Sequence, residues 1–424
     1  MFLVIGIILA FGLFAVGVPI AVSFGLGAAI TLLFNYGMPF STLCNMMFGG
    51  LNHFTWVAVP LFIFAGNLMV YSNSSKALLD FVQSVLGHIT GGIAASAVIA
   101  CCFFAALTGS GAATIAAIGT LMIPRMRETG YSDGFSVGLI SVTGTLGNLI
   151  PPSLFFIIYG MLIEDSIATL FLAGLLPGLL TGFMIMVTAV VMCKIKKIGT
   201  LERVSWGVRG KTLIRALPAL SIPVIILGGI YAGIFTPTEA ATIACVIAVV
   251  AGFWYKGMTW EAFKKASYAT IRVTSMLLFL ICTATLLGKV LVLSGLPQTM
   301  TNVVVDWGLS PTAFLIGFTI VLLILGTFME GTPMLYVTLP IVMPCALALN
   351  ISLIHLGVIY CLAILVGQIT PPVGIMLYMG SSISKVPPET VIRGAIPFLI
   401  TMTVALILIV MFPSISLYLP SLMK

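Results

Sequence analysis

GNLIPPS, Gly147 to Ser153, interrupts a long apolar run, and GQITPPV, Gly367 to Val373, repeats its pattern 220 residues later. Proline removes a backbone donor and clashes with the preceding helical turn, so two adjacent prolines break any helix that contains them. The apolar context makes that break expensive. Unpaired N–H and C=O groups in hydrocarbon each cost several kcal/mol. Such backbone persists only where protein wraps it or where it lines a polar cavity.

The surrounding composition places these breaks in a membrane. The 424-residue chain is 60% hydrophobic and 7% charged, with a mean hydropathy of +1.24. A soluble domain carries about a quarter charged residues, too many for this chain to match. A spanning helix needs roughly 20 apolar residues, and the apolar runs allow about ten or eleven spans. The expected fold is an all-α polytopic membrane protein. Phe2 to Pro19 has the length of a signal peptide, but it lacks a basic leading region and a convincing cleavage site, so it reads as a retained span. The eight cysteines form no CxxC pair, and the three histidines (His53, His88, His355) are scattered. No disulfide or metal framework is expected.

The net charge of +7 is explained by its placement. Seven of the 18 basic residues, Lys194, Lys196, Lys197, Arg203, Arg209, Lys211 and Arg215, share one short loop. The positive-inside rule makes that loop cytoplasmic, so the charge sets topology and implies no nucleic-acid partner. Threading outward from it leaves both termini periplasmic, with only Lys424 and Lys289 on the outer side and 16 basic residues facing the cytoplasm. His88 to Pro124, with LTGSGAAT at Leu107 to Thr114, reads either as a re-entrant hairpin or as two ordinary spans. Charge does not separate these readings; arms of about 17 and 13 residues favour the hairpin.

The offset of 220 is general. Gly111, Pro124, Gly147, Pro151, Pro152, Gly160, Gly174 and Pro177 match Gly331, Pro344, Gly367, Pro371, Pro372, Gly380, Gly394 and Pro397. The copies differ in charge. Arg125 and Arg127 fall on Cys345 and Leu347, Glu164 and Asp165 on Ser384 and Lys385, and Ala173 on Arg393. Each copy is basic where its twin is neutral or acidic, the pattern expected of an inverted repeat. Each repeat then carries one re-entrant hairpin and one broken helix, the second hairpin running from about Pro311 to Pro344.

Carbonyls freed by the prolines, with nearby hydroxyls, make hard-oxygen ligands suited to Na⁺. Half-helix amino termini direct positive partial charge at an anion. TGSGAAT with GNLIPPS forms one expected cation site, and GTFMEGTPM (Gly326 to Met334) with GQITPPV forms the other. The competing reading, proline kinks and glycine packing, suits a lone break better than four breaks paired by an inverted repeat. Asn148 and Gln368 hold equivalent places as candidates for solute contact or for bracing the loop. Ser110 and Thr332 are candidate donors to a solute carboxylate. Glu330, the one acid in a hairpin tip, is a candidate coupling residue. Ser72 to Gly87 and Ser294 to Ser310 read as amphipathic arms on opposite interfaces, either bracing the hairpins or lying on lipid.

The ordered set GSGAATIAAIGTLMIPRM, GNLIPPS, GTFMEGTPM and GQITPPVG resembles the large membrane subunit of tripartite ATP-independent periplasmic (TRAP) transporters, over essentially the whole chain. The resemblance implies an elevator-type secondary transporter of the bacterial inner membrane. It implies Na⁺ as coupling ion, a small four-helix membrane subunit on another polypeptide, and a periplasmic solute-binding protein. The solute would be a carboxylate such as a C4-dicarboxylate or a sialic or other sugar acid. Carried over by motif, the first Na⁺ site uses Thr108 or Ser110 with backbone at Gly147, Ile150 and Pro152. The second uses Thr327 or Gly331 with Gly367, Thr370 and Pro372.

On this reading residues 1–72 and 216–293 are scaffold, 73–87 and 294–310 arms, and 194–215 the basic loop; 88–193 and 311–424 form the transport domain. The alternative is a stand-alone divalent anion/sodium symporter without a binding protein. An enzyme is not expected, since no HExxH, GxSxG or paired carboxylates occur within spans. Two occluding hairpins also suit alternating access better than a continuous pore.

Overall fold

The diproline segments end helices where expected in the computed structural model, which describes residues 2–72, 74–198 and 200–423. The described residues form twenty α-helices and no strand. The first half runs α1 (Phe2–Ala15), α2 (Ile20–Ile30), α3 (Phe40–Leu51), α4 (Ala58–Tyr71), α5 (Ser74–Leu86), α6 (Gly92–Thr108), α7 (Gly111–Glu128), α8 (Asp133–Thr145), α9 (Leu154–Leu162) and α10 (Ile167–Lys196). The second runs α11 (Trp206–Tyr231), α12 (Pro237–Trp254), α13 (Trp260–Leu293), α14 (Leu296–Asp306), α15 (Pro311–Gly326), α16 (Gly331–Ala348), α17 (Leu353–Gln368), α18 (Ile375–Ser384), α19 (Pro388–Met411) and α20 (Ser414–Ser421). Asn73, the expected start of the first arm, and the outer charge Lys424 lie outside the described residues.

Seven helices are alone long and apolar enough to cross a membrane, α16 among them. The remaining apolar runs are shorter because hairpin tips and proline breaks divide them. The repeat is visible element by element. α7 and α16 differ by 220 at both ends, and α5, α6, α8, α9 and α10 fall on α14, α15, α17, α18 and α19 within a few residues. One difference is instructive. Residues 40–71 fold as α3, a 3₁₀ turn at Phe54–Val57 and α4, whereas their counterparts lie in the unbroken 34-residue α13. GGLNH (49–53) stands where the second copy has ATIRV (269–273), and Trp56 Nε1 donates to the Gly50 carbonyl at 2.9 Å, pinning the turn. Charge placement alone predicts no element over residues 40–51, which carry no charged side chain.

Contacts between the broken helices fix their relative direction. Tyr159 Oη, near the end of α9, donates to the Leu353 carbonyl at the start of α17 at 2.7 Å. At the opposite end Arg127 Nη2, in the last turn of α7 and leading into α8, donates to the Ser384 carbonyl at the end of α18 at 3.3 Å. The finish of each lies beside the start of the other, so the two copies run antiparallel, as the charge reversal requires. The same contacts put Lys385 beside Arg127, on the basic side.

Packing also separates the two readings of 88–124. The tip between α6 and α7 lies against residues 147–152, midway along the α8–α9 crossing, so the segment turns back inside the membrane. Both of its ends return to α5. Arg125 Nη1 donates to Gln83 Oε1 at 2.7 Å and Arg125 Nη2 to Asp80 Oδ1 at 3.1 Å. Ser84 on α5 meets Thr212 on α11 at 3.0 Å, and Leu78 and Leu79 are buried. This arm is therefore packed on protein and joins the first hairpin to α11. Because Arg125 and Asp80 are 33% and 29% exposed, water screens the pair, and Arg125→Ala should lower the apparent Tm by only about 1–2 °C. Uptake should fall several-fold; unchanged uptake in reconstituted vesicles would remove α5 as a brace.

Candidate functional site

The first tip is organised around one hydroxyl. Thr108, the last residue of α6, is buried, and its Oγ1 lies 3.1 Å from Thr114 Oγ1, 3.3 Å from the Ser110 carbonyl and 3.2 Å from the Phe104 carbonyl. Ser110 caps α7, accepting from Ala113 N at 3.5 Å. Its carbonyl receives Thr114 Oγ1 at 2.9 Å. The tip meets both sides of the break. A β-carbon on Gly147 would lie 2.9 Å from the Ser110 carbonyl carbon, and one on Gly109 would lie 3.1 Å from the Pro152 oxygen. Only glycine permits this approach.

Prolines at 151 and 152 supply no N–H, and the chain leaves α8 through a single 3₁₀ turn, Leu146–Asn148. Among the described residues, the carbonyls of Gly147, Ile150 and Pro152 receive no hydrogen bond. These are three of the expected ligands. Ile150 N donates to Leu146 O at 2.9 Å, and the Ile150 side chain is buried. Ser153 caps α9, accepting from Phe156 N at 3.4 Å, and its hydroxyl also donates to the Asn148 carbonyl. Cys361 Sγ on α17 donates to the same carbonyl at 3.1 Å. The loop is thus braced by the Asn148 backbone, leaving its half-buried amide free of that task.

The second pair has the same layout with different chemistry. Gly326 at the end of α15 packs on Gly367; a β-carbon on Gly367 would lie 2.7 Å from Gly326 Cα and 3.0 Å from Leu323 O. Gly367 O accepts from Thr370 N at 2.9 Å, whereas the carbonyls of Thr370 and Pro372 receive no hydrogen bond among the described residues. Gly367 is therefore committed locally in a way Gly147 is not. Thr370 Oγ1 donates to Val366 O at 2.6 Å and Thr327 Oγ1 to Ile324 O at 2.8 Å. Both diproline bonds, Pro151–Pro152 and Pro371–Pro372, are cis.

The two sites are not copies. Thr108 and Ser110 fall on Phe328 and Glu330, and Thr327 falls on Leu107. Glu330 stands at the amino end of α16, exposed and without a capping bond. Gly331 and Thr332 open that helix, both half-buried. Gln368 is buried, and its Oε1 has no hydrogen-bond partner among the described residues. A buried amide oxygen without a donor is costly.

The two halves meet in an aromatic wall that the motifs did not reveal. α9 packs on α16 and α17; the Phe155 ring lies 6.0 Å from Tyr360 and 6.2 Å from Tyr159, and Phe318 lies 5.4 Å from Tyr360. Tyr360 Oη donates to Met334 O at 3.1 Å and also bonds the Thr338 hydroxyl. The amino termini of α7, α9, α16 and α18 each begin at a tip or a break, so all four aim positive partial charge toward the interior.

Residues 7–415 match the family described as tripartite ATP-independent periplasmic transporter, DctM component. The C4-dicarboxylate TRAP transporter large permease protein DctM of Pseudomonas aeruginosa is 41% identical over 94% of each chain. The sialic acid TRAP transporter large permease protein SiaM of Vibrio cholerae is 34% identical over 97% of this chain and 96% of its own. The ectoine TRAP transporter large permease protein TeaC of Halomonas elongata is 32% identical over 96% of both. Among solved structures, the YdaH transporter of Alcanivorax borkumensis superposes with a TM-score of 0.59 at 13% identity, covering 88% of each chain; at that identity the likeness is one of fold. Family match and near-full-length relatives together establish that this chain, a multi-pass membrane protein and not an enzyme, belongs to the tripartite ATP-independent periplasmic transporters as a large permease component.

Proposed function

We propose that this permease imports a carboxylate solute across the bacterial inner membrane, driven by Na⁺ and by an elevator movement of the hairpin domain. The observation that carries the Na⁺ coupling is the trio of unbonded carbonyls at Gly147, Ile150 and Pro152 beside the Thr108–Ser110 tip. Hard neutral oxygens clustered at a break suit an alkali cation. Na⁺ binding there would stitch hairpin to broken helix and so favour the solute-competent arrangement. Ser110, Asn148, Thr332 and Gln368 would meet the carboxylate or its polar substituents, and Glu330 would sense occupancy at the second tip. α6–α10 and α15–α20 would move as the transport domain against the remaining spans, with α5 and α14 as the arms between them.

Two partners complete the proposal: a small four-helix membrane subunit and a periplasmic solute-binding protein. Relatives at 41%, 37% and 36% identity are all named for C4-dicarboxylate transport, which makes that the first solute to test. The test is uptake into vesicles containing this chain with its small subunit and a loaded binding protein. Uptake is expected to need an inward Na⁺ gradient and every component. Transport without the binding protein or small subunit would favour a stand-alone anion/sodium symporter. Equal uptake with K⁺ in place of Na⁺ would sink the coupling.

A further inference from the structure

We propose that the groove between the start of α13 and the end of α4 binds the phosphate headgroup of an anionic phospholipid. The groove has a volume of about 630 Å³ and is lined by Tyr71, Lys264, Lys265, Tyr268 and Arg272, with Val273 and Met276 at its deeper end. Residues 265, 268, 272 and 276 follow helical spacing and share one face. That face is outward: Tyr268 is 72% exposed and Met276 62%. Three cations and Tyr268 of α13, with Tyr71 at the end of α4, thus meet an apolar track on the outward side of α13.

Depth argues for lipid. α13 has 34 residues, about 51 Å at 1.5 Å per residue, against a hydrocarbon core of about 30 Å. Its ends must reach the headgroup layers or beyond. Arg272 lies seven residues past Lys265, about 10 Å further along the axis, where an exposed guanidinium on a lipid-facing helix needs a counter-anion. Lys265 holds Glu261 at 2.7 Å, and Lys264 lies 5.3 Å over the Trp260 ring. Among the described residues no carboxylate pairs with Arg272. A lipid phosphate between Lys265 and Arg272 would neutralise it, with Tyr71 and Tyr268 at the interfacial level where aromatic rings settle. An acyl chain would then follow Val273 and Met276. Guanidinium recognises phosphate oxygens in a bidentate fork that lysine lacks.

The full chain, purified in neutral detergent, would be titrated with phosphatidylglycerol or phosphatidylcholine and the bound lipid counted by native mass spectrometry. Phosphatidylglycerol is expected to be retained selectively. Lys265→Ala and Arg272→Ala should each weaken it about fivefold, and Arg272→Lys should keep charge-driven binding, which guards against a merely misfolded alanine variant. Retention unchanged in the double variant Lys265→Ala/Arg272→Ala would overturn the site. So would equal competition by glycerol 1-phosphate, which would make the ligand a water-borne anion. Loss of the small subunit on co-purification, with lipid binding intact, would reassign the groove to a protein partner.

Discussion

Gly367→Val is expected to reduce solute uptake to background while leaving the protein folded. The Gly367–Gly326 contact is backbone against backbone: a β-carbon at 367 would sit 2.7 Å from Gly326 Cα and 3.0 Å from its carbonyl carbon. No flexible side chain can yield there, so the tip of α15–α16 must move off the break. Overpacking of this kind costs about 1–3 kcal/mol, and the two extra methyls of valine place this variant at the upper end. The damage would concentrate at Thr327, Thr370 and Pro372, where the family resemblance places a second cation. Gly228→Val is the control, since a β-carbon at Gly228 on α11 meets nothing within 4 Å. Gel-filtration profiles report folding, and vesicle uptake reports function. Wild-type uptake by a monodisperse Gly367→Val protein would show that tip and break need not touch.

Thr108→Val should raise the Na⁺ concentration for half-maximal uptake about tenfold or more, with the maximal rate recovered at high Na⁺. Valine keeps the shape and removes the hydroxyl that links Thr114, the Ser110 carbonyl and the Phe104 carbonyl. Each lost hydrogen bond is worth about 1 kcal/mol, and a neutral oxygen ligand disappears with them. Thr108→Ser, which retains the oxygen, should stay near wild type. A loss of maximal rate at unchanged Na⁺ dependence would instead mark Thr108 as purely structural and would falsify its role at the first cation site.

Much of this arrangement was legible in the residues because its signals are local. GNLIPPS and GQITPPV break helices wherever they occur, since proline lacks a donor in any context. The reversed charges at Arg125/Cys345 and Asp165/Lys385 report orientation one loop at a time. Signals that depend on partners across the fold were not legible. Nothing in the sequence ties Cys361 to the Asn148 carbonyl, or commits the Gly367 carbonyl to Thr370 N while leaving that of Gly147 free. α3 is invisible to a topology read from basic loops because its 12-residue run is short and carries no charged residue.

By itself the sequence determined a membrane-embedded helical chain built from two oppositely inserted copies, each with one tip and one break. Hydropathy, proline chemistry and charge bias are properties of short segments, and lipid enforces them before any long-range contact forms. The tertiary structure decided what those segments do to one another. It turned 88–124 back at mid-membrane, laid Ser110 against Gly147 and Gly326 against Gly367, and tied the α5 arm to the hairpin and to α11 through Arg125 and Ser84. It also placed the Thr108 hydroxyl at the centre of the first site and left Glu330 exposed at the tip of the second. Close backbone approach and carbonyl availability are relations between distant residues, and only the packed chain defines them.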